Sequence, residues 1–96
     1  PPLETAKREL EEEAGVCASE WQDLGPIVTT PGFCNEVLHL FKASQISEGT
    51  TNLDGAERLT AHWIPLEQAY ALVASGEIKD AKTLAILLKL KLRLGI

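Results

Sequence analysis

Apolar positions from Pro2 to Ala14 recur with the period of an α-helix. At about 100° per residue, Leu3, Ala6, Leu10 and Ala14 share one stripe, which must face a core. Pro2 suits a first turn, where its missing N–H would have no partner anyway, and Gly15 is a stop signal. The pattern then changes. Gly15 to Trp21 carries Val16, Cys17, Ala18 and Trp21 and predicts a strand with a polar end. Gly25-Pro26 predicts a turn, Ile27 to Thr29 is a short β-branched run, and Thr30-Pro31-Gly32 reads as a loop. Glu36 to Ala43 predicts a strand apolar enough to be buried on both faces. Ser47 to Gly55 is a polar loop, and Leu59 to Ile64 predicts a strand that ends at Pro65. Helical spacing returns from Pro65 to Ser75, where Leu66, Ala69, Tyr70 and Val73 fall at i, i+3, i+4 and i+7 and Gly76 is the stop. Lys79 to about Leu92 predicts the last helix, with Asp80 near its start and Lys89, Lys91 and Arg93 towards its end. Its tail, Lys89 to Leu94, alternates strictly and also fits an extended chain. Strands mixed with helices predict an α/β sandwich in which three or four short strands cover three helices.

Composition narrows the function classes. The chain of 96 residues, 45% hydrophobic and 24% charged, is one domain of ordinary globular make-up. A net charge of −5 and a pI near 4.9 argue against a nucleic-acid partner held by a basic face. Apolar runs such as Leu84 to Leu88 are far shorter than the roughly 18 residues that span a bilayer, so no membrane partner is expected. Cys17 and Cys34 make neither a disulfide framework nor a zinc site. They read as buried free thiols in a reducing compartment, which makes the cytoplasm the expected location. His39 and His62 lie in predicted strands with no partner nearby in sequence and read as structural. Trp21 and Trp63 read as packing residues, and the stripe Leu84, Leu87, Leu88 as core or dimer surface.

The first helix carries the candidate chemistry. Glu9, Glu12 and Glu13 fall within one arc of about 100°, while Glu11 and Lys7 point away and Arg8 lies at the edge. Three carboxylates on one face with little cationic relief raise one another's pKa values or recruit a hard divalent cation through oxygen ligands. Taken alone, such a cluster is more often a solvated helix face. The surrounding string changes that balance. Arg8-Glu9-Leu10-Glu11-Glu12-Glu13-Ala14-Gly15-Val16 has the form R-E-U-x-E-E-x-G-U, with U aliphatic, and resembles the second half of the Nudix box, G-x5-E-x7-R-E-U-x-E-E-x-G-U. All seven specified positions of that half match in register. The first Gly and first Glu of the box would lie upstream of Pro1, so the chain is expected to be the C-terminal portion of a single Nudix domain, residues 1–96, with the Nudix helix at 2–14. The fold this implies is an α/β/α sandwich with a mixed sheet completed by strands upstream of Pro1.

The resemblance extends along the chain. Thr30-Pro31-Gly32-Phe33 followed by Glu36 is similar to the T/S-P-G-F…E segment of ADP-ribose pyrophosphatases, and Pro31 lies 15 residues after Val16, where that subgroup carries a distinguishing proline. Trp63 to Ala69 is similar to the W-x-P-x-x-E-A stretch that opens the family's late helix. Gly76 to Thr83 is similar to its G-x-I-x-D-x-K-T segment. Where the family has a D-E pair before the late strand, this chain reads Ala56-Glu57, with Asp54 the nearest earlier acid.

The resemblance implies a hydrolase of a nucleoside diphosphate linked to another group, ADP-ribose first, giving AMP and ribose 5-phosphate. It implies Mg²⁺, with Mn²⁺ able to substitute, held by Glu9, Glu12 and Glu13. Arg8 would orient those carboxylates, and Glu12 and Arg8 count with Glu57 as catalytic. Glu57 would orient or deprotonate the water, with Asp54 in reserve. Pro31, Gly32, Phe33 and Glu36 would shape the substrate loop, with Glu36 either bonding substrate or bracing the loop. It also implies a homodimer. Two alternatives stand beside it: a Nudix enzyme for a dinucleotide or nucleotide sugar, and an inactive portion that serves as a binding or assembly module.

Overall fold

The computed structural model describes residues 1–30, 32, 36–49 and 62–96. The first helix, α1, spans Pro2–Ala14 as its periodicity predicts. It has no side-chain N-cap. Instead, the Pro1 carbonyl accepts from the Thr5 N–H at 3.1 Å and from the Thr5 hydroxyl at 3.2 Å. Gly15 ends the helix in the left-handed region, φ 72°, and its N–H donates to the Glu11 carbonyl at 3.0 Å. A side chain with a Cβ takes that conformation poorly, so glycine there makes the helix-to-strand turn cheap. Leu3, Ala6, Leu10 and Ala14 are all half-buried, in line with the predicted stripe.

Two long strands follow, β1 at Val16–Val28 and β2 at Val37–Glu48, paired as a two-stranded antiparallel sheet. The turn predicted at Gly25-Pro26 is absent. Gly25 takes φ 91° and the strand passes through it, so the two runs predicted as separate strands are one. Glycine permits such a local departure from extended geometry without ending the pairing. Nor is β2 buried on both faces. Only Leu40 is buried, His39 is exposed, and the alternation is lost beyond it. Gln45 adopts φ 59° within this stretch. Of the strand predicted at Leu59 to Ile64, positions 59–61 lie outside the described residues, and His62 to Ile64 has no regular structure. Among the described residues, therefore, the sheet has two strands rather than three or four.

The chain divides into two compact units. The first comprises residues 1–23 and 41–62. Its ring contact is between Trp21 and Phe41, edge-to-face with centroids 6.3 Å apart, and the Trp21 indole N–H donates to the Ala18 carbonyl at 2.9 Å. Trp21 is thus a packing residue, as predicted.

The second unit comprises residues 24–40 and 63–96. Among the described residues its buried side chains are Leu24, Leu40, Ala69 and Leu87, drawn from β1, β2 and the helices α2 (Leu66–Ser75) and α3 (Ala81–Lys89). Pro65 precedes α2 and Gly76, φ 85°, closes it, while Asp80 caps α3. The alternating tail does not extend: Leu90–Leu94 winds on as a π-helical turn closed by Gly95. Of the leucine stripe, Leu87 is buried and Leu88 is 58% exposed. Trp63, expected to pack, is 68% exposed. No helix among the described residues is long and apolar enough to cross a membrane.

Candidate functional site

The candidate carboxylates stand where helical geometry puts them. Glu9 is exposed, and Glu12 and Glu13, one turn on, are half-buried on α1. Arg8 is paired with Glu12, Nη1 to Oε2 at 3.4 Å, across one turn and near solvent. At that length the bond is weak, and an exposed pair of this kind contributes a few tenths of a kcal/mol, about 0.3–0.5. Its consequence is orientation: one carboxylate oxygen of Glu12 is turned towards the guanidinium.

Do these residues fit a divalent cation? The donors on that arc are carboxylate oxygens, which suits a hard ion such as Mg²⁺ and does not suit a soft one. Residues at i, i+3 and i+4 are near enough on a helix surface to share one ion once their side chains turn together. Among the described residues, however, no three His, Cys, Asp or Glu side chains are already gathered as a metal cluster. The set fits in kind, and ion binding would have to draw it together.

The other side of α1 is different in character. A cleft of about 400 Å³ is lined by Glu4, Lys7, Arg8, Glu11, Cys17 and Trp21. Cys17 is half-buried rather than fully buried as predicted. Its pKa is raised, chiefly because its thiol donates a hydrogen bond to Glu11, with desolvation and the negative charge of Glu11 adding to the effect. A thiol so held is a poor nucleophile, and Cys34 lies outside the described residues.

In the second unit, the connection between β1 and β2 is clamped at its base. The Thr29 hydroxyl donates to Glu36 Oε1 at 2.9 Å, and the Thr29 N–H donates to the Glu36 carbonyl at 3.3 Å. Glu36 therefore braces the loop that holds Thr30-Pro31-Gly32-Phe33. Gly32 sits in that loop with φ 78°, exposed. Pro31 and Phe33 lie outside the described residues, as do Asp54 and Glu57. The structure thus places Arg8, Glu9, Glu12 and Glu13 together on α1 and pairs Glu36 with Thr29. Sequence reasoning missed the Thr29 partner and the contact between Glu11 and Cys17. The clue to the second was the direction of Glu11, away from the other three.

The domain model described as NUDIX domain matches residues 1–86 of this chain. The chain belongs to the NUDIX family. Of its relatives, the ADP-ribose pyrophosphatase of Bacillus subtilis (strain 168) is 42% identical over 84 residues, covering 85% of this chain and 45% of that protein. The GDP-mannose pyrophosphatase of Citrobacter koseri (strain ATCC BAA-895 / CDC 4225-83 / SGSC4696) is 32% identical over 89 residues, covering 90% of this chain and 47% of that protein. Among solved structures, the crystal structure of an ADP compounds hydrolase superposes with a TM-score of 0.83 at 23% identity, covering 96% of this chain and 50% of that one. The Nudix-type α/β fold expected from the box string is thereby established. The chain spans about half the length of the curated relatives it matches.

Proposed function

We propose that the protein carrying this chain is a Nudix pyrophosphohydrolase that splits ADP-ribose into AMP and ribose 5-phosphate, with Mg²⁺, or Mn²⁺ in its place, as cofactor. The observation that carries the reading is the 42% identity with an ADP-ribose pyrophosphatase over 84 residues, beside this chain's own R-E-x-x-E-E-x-G string. In this reading Glu9, Glu12 and Glu13 hold the cation. Bound there, it would neutralise the diphosphate oxygens and lower the pKa of a water molecule.

The chain's own residues supply the rest. Arg8 holds one oxygen of Glu12 and so limits how that carboxylate turns. Glu57 accepts a proton from the attacking water, whose oxygen bonds to one phosphorus while the bridging P–O bond breaks and its electron pair stays with the departing phosphate. Glu36, tied to Thr29, holds the base of the Pro31-Gly32-Phe33 loop against which the substrate rests. The same reading makes the protein a cytoplasmic homodimer, which sedimentation velocity tests.

A second substrate is favoured by a specific observation, the 32% identity with a GDP-mannose pyrophosphatase. Comparing kcat/KM for ADP-ribose, GDP-mannose and a dinucleotide on the natural gene product separates the two, because specificity is a difference in transition-state affinity. ADP-ribose is expected to rank first. A higher value for GDP-mannose would move the assignment to nucleotide sugars, and no turnover of any of them would favour a binding module.

A further inference from the structure

At its C-terminal end, α1 makes a second set of contacts that the box pattern does not call for. Glu11 occupies an open position of that pattern, and it points away from Glu9, Glu12 and Glu13. Its carboxylate accepts a hydrogen bond from the Cys17 thiol in β1. Gly49, just beyond the end of β2, donates its N–H to the Gly15 carbonyl at 2.8 Å, and the Gly15 N–H in turn donates to the Glu11 carbonyl at 3.0 Å. The side chain and the main chain of Glu11 are therefore both engaged at one place.

Space there is tight. A Cβ added to Gly49 would lie 2.8 Å from Glu11 Cγ, 2.9 Å from Glu11 Oε2 and 3.1 Å from Cys17 Sγ. The φ angle of Gly49 is not in the left-handed region, so it is the neighbours, not the backbone, that call for glycine. Glu11 has little freedom to yield, because a helix bars one of its three χ1 wells by collision with the preceding turn.

We propose that Glu11, Cys17 and Gly49 form a seat that fixes the last turn of α1, which makes Glu11 and Gly49 positioning residues for the carboxylates of Glu12 and Glu13. Neighbouring residues of one helical turn move together, so a turn that slips at Glu11 also moves the two that follow. The proposal rests on the reading of those carboxylates as cation ligands.

A double-mutant cycle tests it: wild type, Gly49→Ala, Glu11→Ala and the pair together. Two readouts are taken, amide hydrogen exchange over residues 11–15 and the affinity for Mn²⁺ alone by electron paramagnetic resonance. Gly49→Ala is expected to speed exchange and weaken Mn²⁺ binding, each by roughly tenfold, within the usual coupling of residues in contact. On the Glu11→Ala background the same methyl no longer meets the Glu11 side chain, Cys17 Sγ at 3.1 Å being left as its near neighbour, and it is expected to change either readout by less than about twofold. Equal effects of Gly49→Ala on both backgrounds would overturn the seat, as would no effect on either. A lower melting temperature with the Mn²⁺ affinity of the folded protein unchanged would overturn the positioning role. If Gly49→Ala does not fold, the double variant decides: a folded one supports the clash with Glu11, an unfolded one overturns it. Failure of wild type to bind Mn²⁺ would instead overturn the ligand reading, while the exchange cycle still judges the seat.

Discussion

Leu24→Ala probes the core of the unit that holds α2 and α3. Leu24 is 0% exposed, and its own carbonyl accepts from Lys89 Nζ at 2.6 Å, which ties β1 to the end of α3. The substitution removes the Leu Cγ and both Cδ carbons. At roughly 0.8 kcal/mol per methylene-sized group, transfer alone costs about 2.4 kcal/mol. An unfilled hole adds to that, so the expected loss lies at about 2.5–4 kcal/mol. For a chain of 96 residues the whole stability is on the order of 5–14 kcal/mol, so the change is a large share of it. The control is Leu92→Ala in the π-helical turn, where the side chain is 75% exposed and the expected effect is within about 0.5 kcal/mol. Urea unfolding followed by far-ultraviolet circular dichroism measures both, and a constant slope with a lowered midpoint marks a true loss of stability. If Leu24→Ala matched Leu92→Ala to within about 0.5 kcal/mol, the placement of Leu24 in the core would be wrong.

Three further outcomes are expected. Thr29→Val removes the 2.9 Å bond to Glu36, and because the pair is exposed the cost in stability is about 0.5–1 kcal/mol; the larger effect should be a raised KM for ADP-ribose with kcat nearly kept. Asp80, which accepts from Lys82 and from the Thr83 N–H and hydroxyl, has its pKa lowered from 3.8 to about 2. A carboxylate depressed on folding stabilises above its unfolded pKa and loses that effect as pH falls through the folded one. The melting-temperature gap between wild type and Asp80→Asn should therefore be full above about pH 4 and close as pH falls towards 2; a gap independent of pH would sink this assignment. Finally, Glu57→Gln should lower kcat by about 10²–10⁴-fold and Asp54→Asn by far less; the reverse order would move the base to Asp54.

What the sequence made legible was whatever a local rule decides. The span of α1 follows from its apolar period, from proline in the first turn and from glycine past the last. The box string pointed to the family, which the domain match over residues 1–86 bears out. Local rules failed where long-range packing overrode them. Gly25-Pro26 has the composition of a turn, yet pairing with β2 carries the strand through it. The alternation from Lys89 to Leu94 reads as a strand, yet chain continuity with α3 winds it into a helical turn. The Thr29–Glu36 clamp closes across a loop and the close approach of Gly49 to Glu11 joins residues distant in sequence, and no periodicity reports such pairs.

The most direct test of the central claim is the rate of AMP release from ADP-ribose by the natural gene product in the presence of Mg²⁺, with Glu12→Gln and Glu13→Gln beside wild type. The account predicts turnover by wild type that ceases when the cation is chelated. Each variant should lose orders of magnitude in rate while its circular dichroism spectrum is unchanged. Variants that hydrolyse ADP-ribose as fast as wild type would contradict it, because the carboxylates of α1 would then have no part in the chemistry.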